Sequence, residues 1–232
     1  MTRAILLDIE GTTTPIDFVH KVLFPYAKEH VGKYVEEHFG KLSNEISQLV
    51  DESSRDATYT VPVDPTEPGS VSAYLEHLIS VDRKSTPLKS IQGDIWKAGY
   101  ESGELKSIVY DDVPAAFERW NAEGKTIAIY SSGSVLAQKL LFGYTGHGDL
   151  TPFISAYFDT NVGHKREAGS YRKIASRLNF NAEDIFFLSD IPEELDAASE
   201  AGCQARLVVR PGNAVHSAAE RFESITSFDQ LS

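Results

Sequence analysis

The stretch AILLDIEGTTT, residues 4–14, decides the fold of this chain. Its first four residues are apolar without a break, which is typical of a strand buried on both faces of a parallel sheet. The apolar run then gives way to two acids, Asp8 and Glu10, and to a turn of glycine and threonine. A buried strand that ends on two carboxylates predicts a chemical role for the end of that strand.

Further apolar runs later in the chain also end on polar residues, and they span 126–130, 154–158, 185–188 and 205–209. Segments with the apolar period of a helix separate them, for example 115–120 and 174–178. Strands that alternate with helices favour an α/β fold, a Rossmann-like parallel sheet with helices on both faces.

This alternation is interrupted between residues 17 and 109, where helical patterns take over. Residues 18–39 and 71–84 both favour helix, and VPVDPTEPGS (61–70) between them is predicted to be a loop because it is rich in proline. We therefore expect a helical cap domain at 17–109, inserted into an α/β catalytic core made of 1–16 and 110–232. The alternative is a separate N-terminal domain, which would leave the first strand without its sheet.

Composition excludes several classes of function. The chain has 232 residues and a net charge of −12, which argues against nucleic acid or an anionic membrane as a partner. No run approaches the ~18 apolar residues of a membrane span, and the first residues do not resemble a signal peptide. A single cysteine, Cys203, rules out an internal disulfide and is expected to be a small buried hydrophobe. These features predict a cytoplasmic protein.

Polar residues that end parallel strands should converge, because ligands of such sheets bind beyond the carboxyl ends of the strands. The residues concerned are Asp8, Glu10, Ser131, Ser132 and Asp190. Lys165 follows the run 154–158 and is expected to join them.

This set of side chains fits phosphoryl transfer. Mg²⁺ prefers oxygen ligands, which Asp8 and Asp190 would supply together with an oxygen of Glu10. Asp8 can attack phosphorus as a nucleophile, and Glu10 can protonate the leaving group and later deprotonate water. Ser131 and Lys165 would hold the phosphoryl oxygens.

Taken singly, each of these side chains has a simpler explanation, as a turn residue, a helix cap or a solvated charge. Ser134 is expected to cap a helix that begins near Val135. Glu194 lies one helical turn past Asp190 and either tunes the site or faces solvent, and Asp159 is either a site residue or a loop residue. The joint occurrence of the set at strand ends, in this order, favours function.

The order of these motifs resembles the haloacid dehalogenase superfamily, whose first motif is Asp-x-Asp-x-Thr. Residues 8–12 read DIEGT, with Glu10 in the second acidic place. Ser131 resembles the second motif, Lys165 the third and Ser189-Asp190 the fourth. The helical insert after the first motif resembles the first cap class of that superfamily.

Longer segments resemble one branch, the enolase-phosphatases of methionine salvage. They are DIEGTTTPIDFVHKVLFPYA (8–27), GDIWKAGYESGELK (93–106), IYSSGSVLAQKLLFGYT (129–145), FDTNVGHKREAGSYRKIA (158–175) and VVRPGNA (208–214). The resemblance implies a monomeric enzyme with one Mg²⁺ that enolises 2,3-diketo-5-methylthiopentyl-1-phosphate and then hydrolyses the phosphate to release the acireductone.

The resemblance also assigns roles to residues. It implies that Asp8, Glu10 and Asp190 contact the metal. It implies that Ser131, Ser132 and Lys165 contact the substrate. Aromatic residues of the insert are expected either to hold the methylthio group or to pack in the cap, and the candidates are Phe18, Phe24 and Tyr26.

Other functions stay open at this level. A related phosphatase that acts on another phosphate ester, without enolisation, would use the same catalytic residues. A phospho-accepting signalling module also combines strand-end acids, a hydroxyl and a lysine around Mg²⁺, but Glu10 would discharge its phosphoryl group. A binding protein without activity is expected to have lost Asp8 or Lys165, and a dehalogenase would not need acids arranged for Mg²⁺.

Overall fold

The computed structural model describes residues 2–214 and 221–231. Within them, six parallel strands form one sheet in the order β3-β2-β1-β4-β5-β6. Their bounds are β1 Ala4–Leu7, β2 Thr126–Tyr130, β3 Ile154–Phe158, β4 Ile185–Ser189, β5 Gln204–Val208 and β6 Ser224–Ile225. The α/β prediction is confirmed, and the four side chains of β1 are all buried because this strand lies inside the sheet, between β2 and β4.

The helices alternate with these strands after residue 110, and between β1 and residue 110 they follow one another without an intervening strand. Their bounds are α1 Ile16–Phe18, α2 Phe24–His38, α3 Ser43–Ser53, α4 Pro68–Ser80, α5 Thr86–Ser102, α6 Asp112–Ala122, α7 Val135–Gly143, α8 Ala168–Leu178 and α9 Pro192–Glu200. A π-helical segment, Val19–Leu23, joins α1 to α2.

The chain divides into two compact units. The first unit comprises Met1–Val19 and Lys106–Ser232, and the second comprises His20–Leu105. The sequence predicts these boundaries between residues 16 and 17 and between residues 109 and 110. We retain the name cap for the second unit as a proposal.

The first unit is built around the sheet. On one face, Tyr171 of α8 packs edge-to-face against Tyr130 of β2 at 5.5 Å and against Phe187 of β4 at 5.0 Å between ring centroids. Burying one such aromatic side chain stabilises the fold by about 1.5–3 kcal/mol. Elsewhere in this unit, Trp120 of α6 packs on Phe228 at 5.4 Å. Cys203 is buried, as expected.

The second unit contains only helices and turns among its described residues. The indole nitrogen of Trp96 on α5 donates to the carbonyl oxygen of Leu23 at 2.9 Å, at the end of the π-helical segment. A β-carbon on Gly99 would lie 2.6 Å from the Tyr26 hydroxyl oxygen, so the glycine permits α5 to approach α2 closely.

Some local predictions need correction. The loop predicted at 61–70 ends at Glu67, because Pro68 begins α4 at a helix position that needs no backbone donor. The run predicted at 205–209 forms a strand over Gln204–Val208. Neither α3 nor the two-residue edge strand β6 was predicted from the apolar runs of the sequence. None of the described helices has the length and apolarity that crossing a membrane requires.

Candidate active site

The register of the sheet places the predicted residues at one edge. Leu7, the last residue of β1, pairs with Ile129 of β2 on one side and with Leu188 of β4 on the other. Asp8 follows Leu7 directly, whereas Ser131 and Asp190 lie two residues past Ile129 and Leu188, so all three leave the sheet at its carboxyl edge. Their convergence follows from parallel pairing, since all three strands end at the same edge.

Lys165 joins two carboxylates at this edge. Its ammonium nitrogen lies 2.6 Å from Asp8 Oδ1 and 2.6 Å from Glu194 Oε2. All three side chains are almost completely buried. Glu194 also accepts a hydrogen bond from the hydroxyl of Ser189 at 2.9 Å, so it faces the site and not solvent.

Burial and mutual repulsion shift the protonation of these groups. Burial, and next the negative charge of Asp8, raise the pKa of Asp190 to about 8. Burial also raises the pKa of Glu194, against the opposing effect of Lys165. Burial alone would lower the pKa of Lys165, but Asp8 and Glu194 outweigh it and raise that pKa. Lys165 is therefore held as a cation, and its positive charge also opposes the rise in the pKa of Asp190 without cancelling it.

The first loop of the chain is shaped to admit Asp190. Gly11 has a φ of +70°, a conformation that favours glycine. A β-carbon at this position would collide with the carboxylate of Asp190 and lie 2.7 Å from its Cγ. The amides of Thr12, Thr13 and Thr14 all donate to the carbonyl oxygen of Ile9, which closes the loop into a tight turn.

Asp8 and Asp190 form a donor set that suits a hard cation. Both carboxyl groups are buried, and burial and the negative charge of Asp8 raise the pKa of Asp190, so a bound divalent cation would favour the ionised form of both. In residues 2–214 and 221–231, no three acidic, imidazole or thiol side chains stand close enough together to enclose a metal. A cation here would take its other ligands from backbone, water or substrate oxygens, which is the habit of Mg²⁺.

The serine turn after β2 is held by α7. Ser134 accepts a hydrogen bond from the amide of Ala137 at 3.2 Å, which confirms it as the cap of α7. The side-chain amide of Gln138 donates to the carbonyl oxygens of Gly133 and Phe158, both at 2.9 Å. Ser131 and Ser132 are half-buried in this turn.

Each remaining candidate from the sequence has a defined place in its own unit. Asp159 accepts hydrogen bonds from the amide and the side chain of Asn161, which makes it a turn residue. Phe18 is buried in the first unit. In the second unit, Phe24 stacks on Trp96, and Tyr26 donates to Glu104 at 2.7 Å. Glu10 is half-buried, and its backbone pairs with that of Thr14 in an isolated β-bridge within the first loop.

The sequence analysis missed Arg210 and Asn213, which hold the first loop from behind. Arg210 is buried, pairs with Asp112 at 2.9 Å and donates to the carbonyl oxygen of Thr12 at 3.1 Å. The side-chain amide of Asn213 donates to the carbonyl oxygen of Gly11 at 2.9 Å. Both residues lie in the segment VVRPGNA (208–214), but an arginine that follows a strand does not by itself indicate which residues it contacts.

The chain is similar to known proteins in both sequence and structure. A family model described as haloacid dehalogenase-like hydrolase matches residues 2–202. The crystal structure of the UTR4 protein from Saccharomyces cerevisiae superposes with a TM-score of 0.76 at 37% identity and covers 100% of both chains.

Two curated relatives are named Enolase-phosphatase E1. The protein from Leptospira borgpetersenii is 53% identical over 212 residues, which is 90% of this chain and 90% of the relative. The protein from Synechococcus elongatus is 49% identical over 231 residues, 98% of this chain and 96% of the relative. The chain therefore belongs to the haloacid dehalogenase-like hydrolases and, within them, to the enolase-phosphatase family.

Proposed function

We propose that this protein is a bifunctional enolase-phosphatase that converts 2,3-diketo-5-methylthiopentyl-1-phosphate into the acireductone 1,2-dihydroxy-3-keto-5-methylthiopentene and phosphate in methionine salvage. The observation that carries the proposal is the bridge of Lys165 between Asp8 and Glu194, where Asp8 and Asp190 follow the adjacent strands β1 and β4. Relatives near half identity over most of the chain support the choice of reaction.

The phosphatase step uses Asp8 as the nucleophile. Its carboxylate attacks phosphorus, the bond from phosphorus to the substrate oxygen breaks, and Glu10 protonates that oxygen. Glu10 then takes a proton from the water that hydrolyses the aspartyl phosphate, which restores Asp8 and releases phosphate. Lys165 holds Asp8 in place and, with Ser131 and Ser132, binds the phosphoryl oxygens.

The enolase step precedes hydrolysis and changes no atom count. One proton leaves the carbon beside a ketone and one proton is added to the ketone oxygen. We propose Glu10 as the group that takes the carbon-bound proton, because it lies two residues from Asp8 in the same turn. A base at this place serves both steps.

The site is proposed to hold one Mg²⁺ through Asp8 and Asp190, with an oxygen of Glu10 as a further ligand. A backbone oxygen of Glu10 suits the site best, since the described part of the chain offers no third acidic side chain placed to hold a metal. When bound, Mg²⁺ neutralises the phosphate charge and draws an anionic substrate to an acidic protein.

Phosphate release from the diketo phosphate, followed with and without Mg²⁺ while enol formation is recorded optically, tests this function. A simple aryl phosphate is measured alongside. Metal-dependent release together with the enol signal is expected. Release from the aryl phosphate alone would retain the Asp8 chemistry and reject the methionine-salvage reaction.

Two variants separate the roles within the site. Asp8→Asn is expected to abolish phosphate release without loss of the fold, so release retained by this variant would remove Asp8 as the nucleophile. Glu10→Gln is expected to slow both steps. If it stops hydrolysis but leaves enolisation at the wild-type rate, another base serves the first step.

We also propose that the enzyme works as a cytoplasmic monomer, without nucleic acid or membrane partners. The net charge of −12 and the single cysteine support this assignment. Sedimentation at working concentration tests the monomer, and a stable dimer would contradict it.

A further inference from the structure

The loop that carries Lys165 is held by side chains at four successive carbonyl oxygens. The donors are Lys173 Nζ to Val162 O at 3.2 Å, the Tyr130 hydroxyl to Gly163 O at 2.9 Å, Ser170 Oγ to His164 O at 2.7 Å and the Tyr171 hydroxyl to Lys165 O at 2.7 Å. Three of these donors lie on α8. The fourth, Tyr130, ends β2 directly before Ser131.

Loop carbonyls near a protein surface commonly bond to water, which leaves the loop free to adjust. Side-chain donors fixed in a core do not allow this adjustment. Tyr130 and Tyr171 are both fully buried, and their rings pack edge-to-face. Their hydroxyl groups therefore stand at positions that the core of the first unit determines.

The backbone of the loop is adapted to these donors. Gly163 has a φ of +143°, and a β-carbon there would collide with the Ser170 side chain. Glycine thus permits α8 to approach the loop closely enough for its hydroxyl groups to reach the carbonyl oxygens. The hydrogen bonds from α8 to the loop therefore depend both on the glycine in the loop and on the hydroxyl groups of the helix.

A fixed backbone matters because of what Lys165 must do. Its ammonium group meets Asp8 and Glu194 at equal distances of 2.6 Å, deep in the site. A lysine side chain is long and flexible, so a fixed Cα narrows the range of positions that its charged end can take between the two carboxylates. A buried ion pair also depends on good geometry to offset the loss of water around both charges.

We propose that the hydroxyl groups of Tyr171 and Tyr130 are positioning groups for catalysis. They hold the carbonyl oxygens of Lys165 and Gly163 so that the Lys165 ammonium is aligned with Asp8 when the phosphoryl group is transferred. Tyr130 also ties this alignment to Ser131, the next residue in the chain. This inference rests on the proposed roles of Asp8 and Lys165.

The proposal makes a specific kinetic claim. The phosphoryl oxygens gain charge at the transition state, and misalignment of a cation costs most at that point. Tyr171→Phe keeps the ring in the core and removes only the hydroxyl group. We expect a loss in kcat of about 10-fold, with KM changed by less than about 2-fold.

The chain provides a matched control for this change. Tyr157 lies on β3 of the same sheet, and its buried hydroxyl group has no hydrogen-bond partner within the described residues. Tyr157→Phe likewise removes one buried tyrosine hydroxyl group, but it releases no loop carbonyl. It is expected to keep the wild-type kcat.

The experiment measures kcat, KM and melting temperature for Tyr171→Phe, Tyr130→Phe and Tyr157→Phe with the diketo phosphate and with an aryl phosphate. The inhibition constant of inorganic phosphate is measured as a probe of the ground state. The proposal holds if the first two variants lose kcat while KM and the phosphate inhibition constant stay close to wild type.

A kcat for Tyr171→Phe and Tyr130→Phe equal to that of Tyr157→Phe overturns the proposal. So does a fall in activity that matches only the fraction of unfolded protein. If Tyr171→Phe does not fold, the question is decided by Tyr130→Phe and by Lys173→Met. The second of these removes the donor to the Val162 carbonyl oxygen from an exposed position of α8. If the wild type hydrolyses only the aryl phosphate, the proposed substrate fails, yet the variants still test positioning.

Discussion

Gly11 and Asp190 are fitted to each other, because any β-carbon at Gly11 would occupy the space of the Asp190 carboxylate. The two residues belong to different ends of the chain, the loop after β1 and the end of β4. The second acid of the site can therefore reach the first loop only if glycine stands at position 11. The fold thus couples the identity of one backbone position to the placement of a reactive carboxylate.

Gly11→Ala is predicted to abolish metal-dependent phosphate release. Alanine at φ +70° costs about 1 kcal/mol in backbone strain, and its methyl group displaces Asp190. Gly124→Ala is the control, because Gly124 has a φ of +72° and nothing described within 4 Å of an added β-carbon. Both variants should lose similar stability, and only Gly11→Ala should lose activity. Equal activity in the two variants would contradict the fit.

The pKa of Asp190 predicts how stability depends on pH in protein stripped of divalent cations. The folded state raises this pKa from 3.8 to about 8, so it binds the proton more tightly than the unfolded chain. Between these two values the unfolded state carries fewer protons, and the free energy of unfolding falls as pH rises. The raised pKa of Glu194 acts in the same direction.

Urea unfolding in the presence of a chelator, at a series of pH values between about 5 and about 8, measures this fall. Asp190→Asn should reduce the slope, because the variant has no proton to lose at this position. Added Mg²⁺ should raise the stability most at the upper end of the range, where the carboxylate is free to bind it. A slope unchanged by Asp190→Asn would place the titration elsewhere.

Glu194→Gln is predicted to slow phosphate release about 10-fold or more, because Lys165 loses one of the two anions that hold it. The amide still accepts the hydrogen bond from Ser189, so packing is retained. Glu193→Gln is the matched control, since Glu193 is the exposed neighbour on α9. Steady-state release from an aryl phosphate distinguishes the two variants. A wild-type rate for Glu194→Gln would show that Lys165 does not need the negative charge of Glu194.

Arg210→Lys is predicted to lower the free energy of unfolding by about 2–4 kcal/mol, because Asp112 stays buried and loses its paired geometry. The guanidinium also lies between the rings of Tyr110 and Phe228, at 4.5 and 4.7 Å from their centroids, which an ammonium group would not match.

Arg172→Lys is the control for this loss, since its ion pair with Glu200 is exposed and measures 3.8 Å. Exposed pairs contribute about 0–1 kcal/mol, so this variant should melt close to wild type. Chemical denaturation of both variants compares the two arginines directly. If both variants lose the same free energy of unfolding, the buried pair of Arg210 with Asp112 contributes no more to stability than the exposed pair of Arg172 with Glu200.

Much of the core was readable from the sequence because its signal is local. An unbroken apolar run such as Ala4–Leu7 predicts a doubly covered strand without knowledge of its neighbours, and several such runs between helical patterns predict a parallel sheet. The loop at 61–70 was misjudged at its end because Pro68 both breaks and begins helices. The strand β6 was not predicted because two residues are too few to show a periodic pattern of apolar side chains.

The candidate site could likewise be predicted from the sequence only where the signal is local. The sequence itself determined that Asp8, Ser131 and Asp190 leave their strands at one edge, since parallel strands must end together. Only the tertiary structure decided that Glu194 turns inward to Lys165, and that Gly11 makes room for Asp190. These relationships depend on distances between residues far apart in the chain, which close packing sets and which no local pattern of residues records.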